Sequence, residues 1–377
     1  MKVAFYAPLK SPDSPTPSGD RLIARMLWSA LEAGGHDVRL ASRLRSFDRH
    51  GDAGRQQRVA HIGQWAAQRL CRRYEVEAQR PDIWLTYHLY HKAPDWLGPL
   101  VTRTLGIPYC VAEASYSTRQ ADGPWRIGHR AVADALAAAQ LVVSINPKDE
   151  PGVRPRVGPN TQLASIQPFI DGTTLQAARA NRQSHRAELA RHFGLDSNVP
   201  WLVAIGMMRE GDKAESYALL SAALAQLADR PWQLIVIGDG VAASKITEGY
   251  QAFGTRVRFV GQQDAASVAR ILASADLLVW PAINEAIGMV FIEAAMAGVA
   301  VVGADRPGIA AIVDHGATGL LVPEHDMSAF AAAVARLLDD ETLRSTMGHA
   351  GAARAATRNS LETAGRLFCG QLEALVE

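Results

Sequence analysis

Short apolar runs alternate with longer amphipathic segments along almost the whole chain, and this alternation narrows the available folds more than any other feature. A strand buried on both faces reads as a continuous apolar run. The next parallel strand is reached only through a crossover, usually a helix. The pattern therefore predicts an α/β protein with parallel sheets. In the first half, strands are expected at residues 3–7, 37–41, 83–86, 109–113 and 141–144. Helices are expected at about 20–33, 57–79, 94–105 and 124–139. In the second half, strands are expected at 201–205, 233–237, 257–260, 277–280, 300–302 and 320–322. Helices fall between these, for example at 215–228 and 265–273, and three more close the chain at 328–338, 341–357 and 360–376.

Two such series in tandem predict two Rossmann-like domains, as does a length of 377 residues, which is large for one core. Pro and Gly interrupt the pattern at residues 167–172, which sets the boundary near 170. The expected division is residues 1–170, residues 171–357, and a last helix at about 358–377 packing back on the first domain.

Composition excludes several classes. No apolar run of about 18 residues exists, so no membrane span is expected. The first residues, Met1 to Ala7, read as a strand and not as a signal peptide. Cys71, Cys110 and Cys369 have no metal-like spacing and read as reduced, which suits a cytoplasmic protein. Net charge is +1, but residues 1–170 carry 22 Lys and Arg against 15 Asp and Glu, and the remainder 17 against 23. Much of the excess lies between Arg39 and Arg80. It reads either as a solvated face or as a surface for anionic lipid or an anionic acceptor, the latter allowing a membrane-peripheral location. Nucleic acid is not expected, because the stretch has few aromatics for base stacking and matches no nucleic-acid module.

The most informative segment runs from Asp276 to Gly298. An apolar strand enters a loop with Glu285 and Gly288, and an apolar helix follows with Glu293 in its first turns. Such a junction offers unpaired N–H groups and a positive helix end, which suit phosphate. Two carboxylates eight positions apart would repel phosphate unless they accept hydrogen bonds from sugar hydroxyls. A sugar-nucleotide site follows.

From Trp280 to Asp326 the chain resembles the carboxyl-terminal signature of the family 4 glycosyltransferases. The matching residues are Pro281, Glu285, Gly288, Glu293 to Gly298, Val301-Val302, Gly308, Asp314, Gly316, Thr318 to Pro323 and Asp326. The resemblance implies the GT-B fold, two Rossmann-like domains whose parallel sheets face a central cleft. It implies that Glu285 binds hydroxyls of the transferred sugar and Glu293 those of the ribose, roles that suit an acceptor-only carboxylate. The N–H groups of Gly288, Met289 and Val290 would face the diphosphate and sugar. Gly206 to Lys213 resembles the family's stretch that supplies an Arg and a Lys to the leaving diphosphate; here Lys213 fits and the Arg is displaced to Arg209. Gly261 stands where the base would stack.

Ser18-Gly19-Asp20-Arg21 resembles the Gly-rich loop that reaches donor phosphates and acceptor, with Gly19 in place of two glycines. The Pro- and Ser-rich residues 11–17 before it form a loop beside the acceptor. Asp20, His88, Tyr116 and Trp125 are the candidate acceptor residues. Glu113 occupies the place where many members have a His. It reads equally as a group acting on sugar or acceptor and as a buried acid paired with Arg119 or Arg126. His88 and His91 have His-x-x-His spacing, but no further ligand clusters nearby, and no Asp-x-Asp occurs, so neither metal nor other cofactor is expected.

The expected activity is retaining, metal-independent hexosyl transfer from a nucleoside-diphosphate sugar, UDP first and GDP next, to an unknown acceptor, lipid-linked or a glycan precursor. Rival readings are a sugar-nucleotide 2-epimerase on the same fold and a catalytically silent sugar-nucleotide-binding protein. A nicotinamide oxidoreductase would need a Gly-x-Gly-x-x-Gly fingerprint, which residues 8–21 lack.

Overall fold

The computed structural model describes residues 1–16, 18–146 and 148–376. They form two compact units, one of Met1–Pro168 with Leu361–Glu377 and one of Phe169–Ser360.

The first unit runs β1 (Lys2–Tyr6), α1 (Gly19–Ala33), β2 (Asp37–Ser42), α2 (Ala53–Tyr74), β3 (Ile83–Leu89), α3 (Gly98–Leu105), β4 (Tyr109–Ala114), α4 (Arg126–Ala138), β5 (Leu141–Ser144), α5 (Glu150–Val153) and β6 (Gln162–Ser165). All pairings are parallel, in the order β2-β1-β3-β4-β5-β6. The central strands β3 and β4 are buried at all but one position, which is why most of their residues are apolar; Thr86, His88 and Glu113 are the exceptions. Ser18 and Asp52 start α1 and α2 by accepting from the N–H groups of Arg21 and Arg55.

The second unit runs α6 (Thr173–Ala180), α7 (Arg182–Phe193), β7 (Trp201–Ile205), α8 (Asp212–Ala225), β8 (Gln233–Ile237), α9 (Ala243–Glu248), β9 (Val257–Phe259), α10 (Ala265–Ser274), β10 (Leu277–Trp280), α11 (Met289–Met296), β11 (Ala300–Ala304), α12 (Pro307–Ala310), β12 (Gly319–Val322), α13 (Met327–Asp339) and α14 (Glu341–Arg358). Its sheet is also parallel, in the order β12-β11-β10-β7-β8-β9. The last helix, α15 (Leu361–Glu373), returns to the first unit. There Gly365 lets it close on Ala30 of α1, and the Cys369 thiol reaches the Ala30 carbonyl at 3.3 Å. The three cysteines are buried and free.

Several elements differ from expectation: α2 spans Ala53–Tyr74 and not 57–79, and α3 starts at Gly98 and not near 94. β3 continues past Thr86 to Leu89, so His88 lies in the strand. β6 is a polar edge strand with little burial, which the apolar pattern passed over. No helix among the described residues is long and apolar enough to cross a membrane.

Candidate active site

Open α/β sheets bind ligands beyond the carboxyl ends of their strands, where the strand order reverses. In the second unit that point lies between β7 and β10, which are neighbours, with β8-β9 running one way and β11-β12 the other. The loops after β7 and β10 therefore lie side by side. Lys213, in the first turn of α8, forms an ion pair with Glu285 of the β10–α11 loop. Each side chain is 22% exposed. Beneath them Trp280 ends β10 fully buried, its ring centroid 5.4 Å from the Lys213 ammonium. Tyr217 meets that ring edge-on at 4.8 Å and donates its hydroxyl to the Gly206 carbonyl at 2.7 Å. Gly206 lies so close to Trp280 that a Cβ there would sit 2.9 Å from the ring. A cation and a carboxylate are thus seated on one rigid aromatic floor.

The β10–α11 loop is strained and held. Ala282 and Asn284 have φ of 54° and 51°, a region that side chains rarely enter and that clusters at functional sites. The Ile283 N–H donates to Ser216 at 3.0 Å and the Asn284 N–H to Glu324 at 2.6 Å. The Asn284 side chain donates to Asp212 at 3.0 Å, and Arg306 joins Asn284 to Glu324. Gly308 packs on the loop from the other side, where a Cβ would come within 1.9 Å of the Ala286 carbonyl. Gly288 then adopts a left-handed conformation at φ 72°, and α11 begins at Met289 and Val290 with no side chain capping it. The first N–H groups of this helix are left for a ligand.

Glu293 lies one turn on, partly buried. Burial pushes its carboxyl up to about 7. Among the described residues no protein donor bonds it. A carboxylate held without a partner beside a bare helix start is equipped to accept from a ligand's hydroxyls. Arg209 is exposed on the same loop as Gly206, has no side-chain partner among the described residues, and does not join the Lys213–Glu285 pair. Gly261 follows β9 and accepts the Gly238 N–H at 3.0 Å.

The first unit repeats the device with different chemistry. Its order reverses between β1 and β3. Gly19 and Asp20 open α1 there, and the Asp20 carboxylate meets the His88 ring at 2.9 Å. Burial raises Asp20, but the hydrogen bond and charge of His88 outweigh it and leave the carboxyl below its usual range. His88 has a φ of 63° and Glu113 one of 62°. Glu113 pairs with neither Arg119 nor Arg126. One of its oxygens takes the N–H groups of Ile145 at 2.7 Å and Asn146 at 3.0 Å. Burial pushes it up to about 7, against the pull of those amides and of the His88 charge. An aromatic series links His88 through Tyr90 and His91 to Trp125. Trp125 donates to the Asp48 carbonyl and lies under the Lys92 ammonium at 4.4 Å. Tyr116 stands apart from it, stacked on His129 at 4.4 Å and covered by Arg156. Of the proline-rich loop, Pro17 lies outside the described residues.

Sequence reading overlooked Asn284, Asp212, Arg306 and Glu324, which hold the Glu285 loop. Asn284 adjoins Glu285 and was within reach of it; Arg306 and Glu324 carry no local signal, because their role is set by spatial neighbours.

Residues 199–340 match the family described as glycosyl transferases group 1. The chain is 30% identical over 193 residues to the alpha-D-kanosaminyltransferase of Streptomyces kanamyceticus, covering 51% of this chain and 50% of that protein. It is 28% identical over 194 residues to the N-acetyl-alpha-D-glucosaminyl L-malate synthase of Bacillus anthracis, covering 51% and 48%. The chain thus spans about half the length of these curated relatives. Among solved structures, Anabaena HepE in complex with UDP superposes with a TM-score of 0.75 at 18% identity, covering 100% of both chains. That likeness speaks for the fold alone. The matched segment carries β7 to α13, with Lys213, Glu285 and Glu293 inside it. Residues 199–340 thus carry the glycosyl transferases group 1 match, and the chain as a whole has the GT-B fold of its structural neighbours.

Proposed function

We propose that this protein is a retaining glycosyltransferase that moves a hexose from a nucleoside-diphosphate sugar to an acceptor hydroxyl. The observation that carries the reading is the Lys213–Glu285 pair at the β7/β10 reversal, with the unpartnered Glu293 one helical turn beyond the bare start of α11. UDP is the preferred nucleotide and GDP the next; Anabaena HepE is a GT-B neighbour crystallised with UDP-glucose.

The second unit takes the donor. Its diphosphate draws the Lys213 ammonium away from Glu285, and Arg209 and the Met289 and Val290 N–H groups share its charge. Glu285 is then free to accept from sugar hydroxyls, and Glu293 from the ribose. Charge grows on the departing diphosphate in the transition state, and these fixed donors stabilise it there. The acceptor approaches the face that the diphosphate leaves, and a departing phosphate oxygen takes its proton. No metal is required, because cations and helix dipole do the neutralising. The first unit supplies the acceptor side through Asp20, His88 and the aromatic series to Trp125. A lipid-linked acceptor would be met at a membrane surface from the cytoplasmic side, and the basic excess of residues 1–170 suits an anionic one.

The test is a thermal-shift panel of nucleoside diphosphates and their sugars, followed by transfer assays with EDTA present. Stabilisation by UDP or GDP, EDTA-insensitive transfer and a retained anomeric configuration are expected. A panel in which no nucleotide stabilises the protein would sink the reading. Conversion of donor sugar to its 2-epimer without acceptor would replace it by the epimerase.

A further inference from the structure

Helix α2 of the first unit (Ala53–Tyr74) turns a surface to solvent that a merely solvated helix has no reason to carry. Its buried side, with Gly63, Ala67, Leu70 and Tyr74, faces the core, and Gly63 lets it close on Trp96. The opposite side is a stripe at alternating spacings of four and three residues: Arg58, Ile62, Trp65, Arg69 and Arg72. At 100° per residue these fall on one narrow face. Ile62 is 51% exposed and Trp65 58% exposed. The Arg69 guanidinium lies over the Trp65 ring at 4.7 Å, so a cation and an aromatic are presented together. The helix contains no Asp or Glu along its 22 residues. The neighbouring helices α3 and α4 carry Arg103, Arg126 and Arg130, all exposed.

We propose that this face of α2 docks on an anionic lipid bilayer, with Ile62 and Trp65 entering the headgroup boundary and the arginines contacting lipid phosphates. Charge complementarity decides the occupant. A second copy of this chain would set arginine stripe against arginine stripe, which is repulsive. A surface of negative headgroups attracts each arginine and also receives the apolar pair. Trp suits that depth because its ring is apolar and its N–H finds a partner in the headgroups. The proposal rests on α2 alone and stands whether or not the protein transfers sugar.

The experiment is co-sedimentation of the full chain with vesicles of pure phosphatidylcholine and of phosphatidylcholine with phosphatidylglycerol, without donor or acceptor. Binding to the anionic vesicles alone is expected, falling as salt is raised. R58E/R69E and I62S/W65S should each weaken it by about tenfold or more, since each arginine near such a surface and each buried apolar group contributes measurably. All four positions are exposed, and circular dichroism checks that the variants fold. Absent or salt-independent binding overturns the proposal, as does binding by either variant that equals the wild type. So does concentration-dependent self-association abolished by I62S/W65S, which would give the face to a second copy. Transfer assays on soluble acceptors in the same variants should be unchanged, which separates failure here from failure of the transferase reading.

Discussion

The Lys213 ammonium and the Glu285 carboxylate neutralise each other across the point where the strand order of the second sheet reverses. Neither group is deeply buried, so neither needs the other for desolvation alone. In the proposed reaction, the pair holds itself closed until a diphosphate draws the ammonium away.

Removing the cation tests its part in transfer. Lys213→Ala should lower turnover by about 100- to 1,000-fold, the usual loss when one fixed donor to developing charge is removed. A turnover number within a few-fold of wild type would contradict the role.

Removing the charge of its partner should do the opposite to product binding. Glu285→Gln leaves Lys213 free for diphosphate, so UDP should bind about threefold more tightly, the scale of a partly exposed ion pair. Turnover should fall, because the amide is a weaker acceptor for sugar hydroxyls. Calorimetry giving weaker UDP binding would rule out the competition.

Glu293 makes nucleoside binding depend on pH. Its carboxyl is held near about 7, so it is protonated below that pH and ionised above it. Only the ionised form offers all its acceptor sites. Affinity for uridine, which has no titrating phosphate, should rise about tenfold from roughly pH 6 to 8 in the wild type and stay flat in Glu293→Gln. A rise of the same size in both proteins would remove Glu293 from the ribose.

Glu113 makes stability depend on pH in the other direction. Its pKa is raised from 4.5 unfolded to about 7 folded, so the folded state holds the proton more tightly. Stability is fully present below about pH 4.5 and is lost as pH rises through about 7. Glu113→Gln does not titrate and can still accept from Ile145 and Asn146. The variant should match the wild type near about pH 5 and exceed it by about 1–3 kcal/mol near pH 8. Denaturant melts showing a constant difference across that range would refute this.

Gly308→Ala probes the loop without touching a charged group. The new Cβ meets the Ala286 carbonyl, and backbone must move. A stability loss of about 1–3 kcal/mol is expected, with weaker UDP binding as the Glu285 loop shifts. Unchanged melting and unchanged affinity would show that the loop yields freely.

How much was visible beforehand follows burial. Residues 201–205 and 233–237 were read as strands and are β7 and β8 to the residue. Burial on both faces makes such a strand apolar at nearly every position; in β8 only the partly exposed first residue, Gln233, is polar. β6 lies at the sheet edge with polar side chains outward, so nothing in its four residues separates it from a loop. Helix α7 buries only Leu189 along its length. It is anchored by Arg182 and Arg186 to Asp276, 94 and 90 positions away, which no local window detects.

By itself the sequence determined the fold class, the strand–helix alternation and which residue types stand beyond which strands, because burial and backbone pairing act over a few neighbouring positions. It picked out Lys213, Glu285 and Glu293 one by one. Only the tertiary structure decided that Lys213 meets Glu285 over 72 positions, that Asp20 meets His88, and that Glu113 answers to two backbone amides and not to an arginine. Those contacts depend on sheet order, which brings loops distant in sequence to one reversal point, and strand order is a property of the packed whole.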